Sequence, residues 1–578
     1  MEKGNNVKSL HQISLVAASI ALLAHGALDA RAADVTIERP AIRWLFGGFG
    51  FQNAESRLTA LMTDEFRDQR AVKSFRELSP SFSRVYVGMA GESKEALDRF
   101  ADYYDKTFRQ CDTTIYAVGG VMPAFADKLD IEAHAEGVAK SLEYLVKVRD
   151  CRKIRFYCLT NELMSGTQHA YFWYEKKMDL FKKFHEALFD AFRRHGLDIQ
   201  LAASDGSYGR KQAEELKWTV ENMDLITGMF CTHYYDYGVR PGALEAYDIF
   251  YGQSTNVVAL AMSKIKRWML GEFGIGPPHE RGVMFDDRNW SAVNPSKAGL
   301  AALTTAEMAM AAVNAGAYAV ISWSFCDYPD PFVVEDSHDP AGRARYESGK
   351  SVYRPDMKYN KWGVFRWSDV RRDYGPNPTY LTLGMMSRYF RKGSSVLKAK
   401  LSDPLLRATV LENPDATMTA AIVNHGAKRV VTIGGWDSVQ RPVRVYSYDS
   451  AAPSLNPFGD LPGPVETVSP AGGEIRVEVP EKGMVFLTTD YQDRKPSAVT
   501  KVRIVNGKLG WAANEEPEHC YYRVYKDGKQ IASTVATSLD LGGCVSSRAA
   551  AAGDSRPPET DPFVFSVTSV DKWGNEGK

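Results

Sequence analysis

A chain of 578 residues is too long for a single hydrophobic core and divides into several domains. Its 44% apolar content is ordinary for a folded protein, and its 71 basic residues balance 71 acidic ones. That balance removes any electrostatic ground for expecting a nucleic acid or an anionic membrane as partner. The 11% aromatic content suits stacking on sugar rings, but also an aromatic core.

The N-terminus is more specific. Lys3 and Lys8 precede the apolar run Ile13–Leu23, and Ala30-Arg31-Ala32 follows it. A basic start, a short apolar stretch and an A-x-A site predict a signal peptide over residues 1–32. The run is shorter than the roughly 20 residues of a membrane span, so no stable insertion is expected after cleavage. A secreted or periplasmic protein beginning near Ala33 is the expectation. Among the seven cysteines, Cys158, Cys231 and Cys326 lie in apolar runs and read as small buried hydrophobes. Cys520 and Cys544 fall late in the chain, where an exported protein permits a disulfide. No spacing of Cys and His predicts a zinc site or a cofactor.

In chain order, eight strand-like runs alternate with helical patterns: Ile42–Phe46, Ser83–Gly88, Thr114–Val118, Ile154–Leu159, Ile199–Ala203, Met229–Thr232, Trp268–Gly271 and Ala319–Trp323. The intervening segments repeat apolar residues at helical spacing, as in Leu180, Phe181, Phe184, Leu188, Phe189 and Phe192. Continuous apolar strands between amphipathic helices predict an α/β fold with a parallel sheet. Eight repeats suit a closed (β/α)₈ TIM barrel, expected over residues 33–392. The Pro- and Gly-bearing stretch from Cys326 to Trp362 reads as a lid or wall over the barrel mouth. From about Ser394 the pattern alternates with period two, predicting a β-sandwich over 393–492. A polar linker containing Pro496 then leads to a second all-β domain, 493–578, read as fibronectin type III-like, with Asp527-Gly528 as a hairpin turn.

Reactive groups in such a barrel come from the C-terminal ends of its strands. Glu162 ends the fourth strand and Glu272 the seventh, and strand parity groups Glu162 with Phe156 and Cys158, and Glu272 with Trp268 and Leu270. If those faces look toward the axis, two carboxyls converge over the interior. Retaining glycoside hydrolysis needs such a pair about 5–5.5 Å apart, one attacking the anomeric carbon and one donating a proton. Their pKa values must be driven apart, and Asn161 is placed to hydrogen-bond a sugar 2-hydroxyl. The glycine run Gly47–Gly50 lacks the features of a phosphate-cradling loop, and reads as a tight turn or a close backbone approach to a sugar.

Asn161-Glu162 on the fourth strand and Glu272 on the seventh resemble clan A of the glycoside hydrolases. Arg84 on the second strand, His233-x-Tyr235 on the sixth and Trp323 on the eighth extend the resemblance, which is similar to family 5. A sandwich after the barrel and Phe172-Trp173 after the first Glu are similar to family 39. Gly119-Gly120 stands where family 5 enzymes commonly carry a His, and Leu163 where family 39 often has Pro, so the set matches the clan rather than either family. The resemblance implies a secreted retaining β-glycosidase acting on an oligo- or polysaccharide without a cofactor. It implies Glu162 as acid/base, Glu272 as nucleophile, Tyr235 and Arg84 on Glu272, and His233 on the acid/base or the sugar. Trp323 would floor the subsite, and Trp173 is a further candidate for stacking on a sugar. Two rival readings stay open at this point. One is a metal-dependent hydrolase using His233, Asp205 and the two Glu; the other is a non-catalytic sugar-binding protein.

Overall fold

The computed structural model describes residues 33–39, 44–119, 128–162, 171–174, 176–208, 213–235, 241–274, 295–329, 359–360, 363–367, 374–437, 439, 441–542 and 564–577. Eight parallel strands close into a barrel. They are β1 (Gly48–Gln52), β2 (Phe82–Tyr86), β3 (Thr114–Val118), β4 (Ile154–Cys158), β5 (Gln200–Tyr208), β6 (Met229–Tyr235), β7 (Arg267–Gly274) and β8 (Ala319–Ser322). Helices on the outside include Lys94–Lys106, Ile131–Glu143, Met178–Arg194, Glu245–Met262, Pro295–Ala315 and Pro378–Tyr389. Their starts are capped where the sequence allows: Ser93 Oγ accepts from Ala96 N and Asp130 Oδ1 from Ala133 N. The helix Met178–Arg194 buries Phe181, Phe184, Leu188 and Phe192 against the barrel, each contributing about 1.5–3 kcal/mol.

The first barrel strand differs from expectation. Trp44–Phe46 pairs antiparallel with Ser394–Val396, outside the barrel, and Gly48–Gln52 takes the barrel position. A Cβ on Gly50 would lie 1.6 Å from the Phe82 carbonyl oxygen and one on Gly47 2.4 Å from the Tyr318 ring. The glycines therefore serve strand packing within the protein, not an approach to a sugar.

Inside the barrel, Phe82, Tyr116, Phe156, Cys158, Met229 and Met269 form a packed plug beneath the mouth. The expected inward face of β4 is observed. On β7 the parity reading fails: Trp268 and Leu270 pack on the helix side and Met269 faces inward. The β6–β7 register slips, with Thr232 opposite Leu270 and His233 opposite Glu272, so that Gly271 is extra. A second slip on β5 leaves Asp205 extra between Ser204 and Gly206, with φ 57°. Such bulges turn a strand's side-chain alternation over by one residue. These two set the directions of Glu272 and Asp205.

Beyond the barrel lies a β-sandwich. Val35–Glu38 joins it between Ser394–Leu401 and Arg429–Gly434. Glu474–Val479 shows the alternation clearly: Ile475, Val477 and Val479 enter a core with Ile422 and Val485, while Glu474, Arg476 and Glu478 face out. A second all-β unit of three- and four-stranded sheets encloses Leu509, Trp511, Tyr522 and Val524. Its hairpin turns at Asp527-Gly528 with φ of 49° and 76°, the two positive values that a two-residue turn requires.

The three units meet around buried charge. Lys73 Nζ lies 2.7 Å from both Glu77 and the sandwich's Asp460, and Arg523 of the last unit bonds Asp460 at 2.8 Å. Tyr380 and Tyr521 donate to Glu77. The Cys520 thiol sits against the Arg76 carbonyl. Cys544, the leader 1–32 and most of the stretch from Cys326 to Trp362 lie outside the described residues. None of the described helices is long and apolar enough to cross a membrane.

Candidate active site

The strand ends bring Arg84, Asn161, Glu162, Asp205, His233, Tyr235 and Glu272 into one hydrogen-bonded cluster above the apolar plug. Glu162 follows β4 with φ 47°, a left-handed conformation that costs a non-glycine residue of order 1 kcal/mol. Its backbone N–H donates to the Asp205 carbonyl at 2.9 Å, which ties the two strand ends together.

Glu272 is 3% exposed and carries three close neighbours. Arg84 Nη1 donates to Oε1, the Tyr235 hydroxyl donates to Oε2 at 2.8 Å, and His233 Nδ1 lies 3.4 Å from Oε2. Burial pushes the Glu272 carboxyl upward, the charges of His233 and Arg84 oppose that, and Glu162 adds to the rise. Arg84 is wholly buried and divides its donors. Nη1 also reaches Gln52 at 2.7 Å, while Nη2 bonds Asn161 Oδ1 and Asp205 Oδ2, each at 2.5 Å.

His233 bridges the cluster, with Nδ1 3.0 Å from Glu162 Oε1 and Nε2 3.0 Å from Asp205 Oδ1. Burial alone would favour a neutral ring, but Asp205 and Glu272 outweigh it and push the imidazole up to about 10. Burial likewise works against the Asp205 anion, yet Arg84 and His233 hold that carboxyl well below the usual carboxylate range. Glu162, His233 and Glu272 each offer a donor atom within 4.8 Å of the others, as do Asp205, Cys231 and His233. A metal at either set would have to displace a proton from His233, because a ligating imidazole nitrogen must be deprotonated.

The two tryptophans take different places. Trp323 follows β8, half-buried, with its backbone N–H donating to the Phe273 carbonyl at 3.2 Å. Trp173, on the short helix Tyr171–Tyr174, packs half-buried on the helix-side core. A cavity of about 350 Å³ opens on the outer side of Tyr86, lined also by Arg57, Met89, Glu92, Arg99 and Phe100. Sequence reasoning weighed Asp205 only as a metal ligand and passed over Tyr116, whose hydroxyl donates to Asp205 at 2.7 Å. The available signal was Asp205-Gly206 closing an apolar strand, since an isolated Gly in a strand marks a bulge.

No family model matches the chain, and no curated protein matches it in sequence. Solved structures share its fold at low identity. The catalytic domain of a glycoside hydrolase family 30 xylanase C from Talaromyces cellulolyticus superposes with a TM-score of 0.53 at 14% identity, covering 78% of this chain and 99% of that one. An endo-β1,6-glucanase gives 0.53 at 14%, covering 80% and 96%. A bacterial orthologue of human α-L-iduronidase gives 0.55 at 12%, covering 95% and 99%, so its likeness extends over the C-terminal units.

Proposed function

We propose that this chain is a glycoside hydrolase of clan A working by retention, with Glu272 as nucleophile and Glu162 as acid/base, on a β-linked oligo- or polysaccharide. The observation that carries the reading is the separation of the two carboxyls, whose oxygens approach within 4.8 Å. Retaining enzymes hold their pair about 5–5.5 Å apart, whereas inverting enzymes need about 6.5–9.5 Å to admit a water between them. The xylanase and the endo-β1,6-glucanase that share the fold support a glycan substrate.

Two carboxylates this close share one proton, because ionising both places like charges side by side. Burial raises the Glu272 carboxyl, but Arg84 and Tyr235 both donate to it, and on that ground we assign the negative charge to Glu272 and the proton to Glu162. In the first step Glu272 attacks the anomeric carbon, the glycosidic C–O bond breaks, and Glu162 gives its proton to the leaving oxygen. In the second, Glu162 takes a proton from water as that water displaces Glu272. Asn161 would bind the 2-hydroxyl through its amide NH₂, and Trp323 would floor the subsite. Trp173, packed on the helix side, is the weakest of the sugar-contact candidates. We read residues 493–578 as a fibronectin type III-like support and the leader as marking an exported protein.

The test is a panel of polysaccharides and aryl glycosides, uronides included, with product mass and anomeric configuration followed by NMR. Retention at the first product is expected, and an inverted first product sinks the two-step mechanism. Glu162→Ala should keep more activity on aryl glycosides with good leaving groups than on natural glycans. Activity lost to EDTA and restored by a divalent cation would return the metal-dependent reading.

A further inference from the structure

Asp205 is fully buried at the base of the mouth, and both of its oxygens are engaged. Oδ1 accepts from the Tyr116 hydroxyl at 2.7 Å, the Cys231 thiol at 3.1 Å and His233 Nε2 at 3.0 Å. Oδ2 accepts from Arg84 Nη2 at 2.5 Å. Four donors aimed at one carboxyl suit the anion, since a protonated acid would turn a donor of its own against one of them. Cys231 stays a thiol because burial and the Asp205 charge both oppose its ionisation.

His233 then has no freedom in its tautomer. Asp205 takes the proton on Nε2, while Nδ1 faces Glu162 at 3.0 Å and Glu272 at 3.4 Å. With the Asp205 and Glu272 charges on its two sides outweighing burial, the ring holds a second proton on Nδ1 as an imidazolium. Among the described residues, Arg84 and His233 stand beside Asp205, Glu162 and Glu272, and two carboxyls as close as Glu162 and Glu272 favour one proton between them. Taking away the Asp205 charge weakens the hold on the protons of His233 and Glu162 alike.

We propose that Asp205 is a positioning residue whose buried negative charge keeps its proton on His233, so that Glu162, and not the imidazole, supplies the proton taken by the leaving oxygen. This rests on the reading of Glu162 and Glu272 as the reacting pair. During the first step His233 keeps both N–H bonds; the proton that moves starts on Glu162 and ends on the leaving oxygen. During the second, the proton released by water returns to Glu162. Among the described residues, the groups that face His233 are Glu162, Asp205 and Glu272, with the Cys231 thiol beside them. Behind these stand Arg84 on β2, Tyr116 on β3 and Tyr235 on β6, none of which competes for the imidazole proton near neutrality.

The experiment follows the His ring signals of the full-length protein by NMR across pH, with His233 assigned by its loss in His233→Gln. In the wild type His233 is expected to stay protonated well above pH 8. In Asp205→Asn, which keeps the shape of the side chain, its pKa should fall by about 1–3 units, the effect of removing an adjacent opposite charge. Because the same charge supports protonated Glu162, the alkaline limb of kcat/KM on a natural glycan should move to lower pH in Asp205→Asn. On an aryl glycoside with a good leaving group that limb should hardly move. A wild-type His233 titrating near its ordinary pKa of about 6.5 overturns the proposal, whether or not the variant folds. So does a folded Asp205→Asn in which His233 or the alkaline limb stays where it was. Hydrolysis surviving in Glu272→Ala would instead sink the assignment of the reacting pair, a result separate from the His233 titration.

Discussion

At the barrel mouth, Arg84 and His233 face three carboxyls, Glu162, Asp205 and Glu272. Where the three units meet, Lys73, Arg388 and Arg523 face Glu77, Asp460 and Glu576. Both groups are largely buried and both draw on tyrosine hydroxyls for extra donors. They differ in balance. The junction matches cations to carboxyls in number, and Asp460 is held below the usual carboxylate range: burial opposes its anion, but Lys73 and Arg523 outweigh that. Among the described residues the mouth sets three carboxyls against two cations, and Asp205 is driven down while Glu272 is driven up. Burial of charge alone therefore says little about chemistry. Two carboxyls close enough to share a proton, set at strand ends over a packed plug, are what distinguishes the mouth from the junction.

Substitution at each cluster should expose that contrast. The largest effect is expected from Glu272→Ala, which removes the proposed nucleophile and should lower kcat of the folded protein by about 10⁴-fold or more. Near-normal turnover by that protein would place the chemistry elsewhere. Lys73→Met removes the buried cation that Glu77 and Asp460 share, leaving them to Arg388 and Arg523, and should cost about 3–5 kcal/mol in denaturant unfolding, with kcat per folded molecule unchanged. If kcat falls in proportion, the junction is coupled to the mouth and the contrast is false. Tyr235→Phe deletes one hydrogen bond to a charged oxygen, so about 1.5–3 kcal/mol, or roughly 10–150-fold in kcat/KM, is expected with stability nearly intact.

The smallest effect concerns pH. Because the folded Asp460 carboxyl lies below its unfolded value of about 3.9, its contribution is complete above that value. It drains as pH falls toward the folded value. Asp460→Asn should therefore flatten the acid side of the stability profile, and leave the pH dependence of kcat/KM alone. A changed kcat/KM profile in that variant would argue that the junction reaches the site.

Much of the barrel is legible because burial on both faces forces its strands into continuous apolar runs, and its helices into a period of 3.6. The runs at Thr114–Val118 and Ile154–Cys158 are read from composition almost to the residue. The first strand is not, since Trp44–Phe46 looks more strand-like than the glycine-rich Gly48–Gln52 that takes the place. Only the closeness of Phe82 and Tyr318 shows why glycine belongs there. Glu272 is legible as a strand-end acid, yet its direction depends on the extra Gly271, and two-residue parity carries no mark of a bulge. Asp205 is the harder case. Its bulge and its four donors come from four different strands, and no local pattern relates them.

By itself, then, the amino-acid order determined the class of fold, the order of its units and the residue types at the strand ends. Those follow from short-range patterns of apolarity and turn chemistry, which act within a few residues. Only the closed barrel decided which strand ends face one another, and which carboxyls and cations share one buried cluster. Those are questions of distance and dielectric between segments far apart in the chain, from Arg84 to Glu272, and they have no local signature.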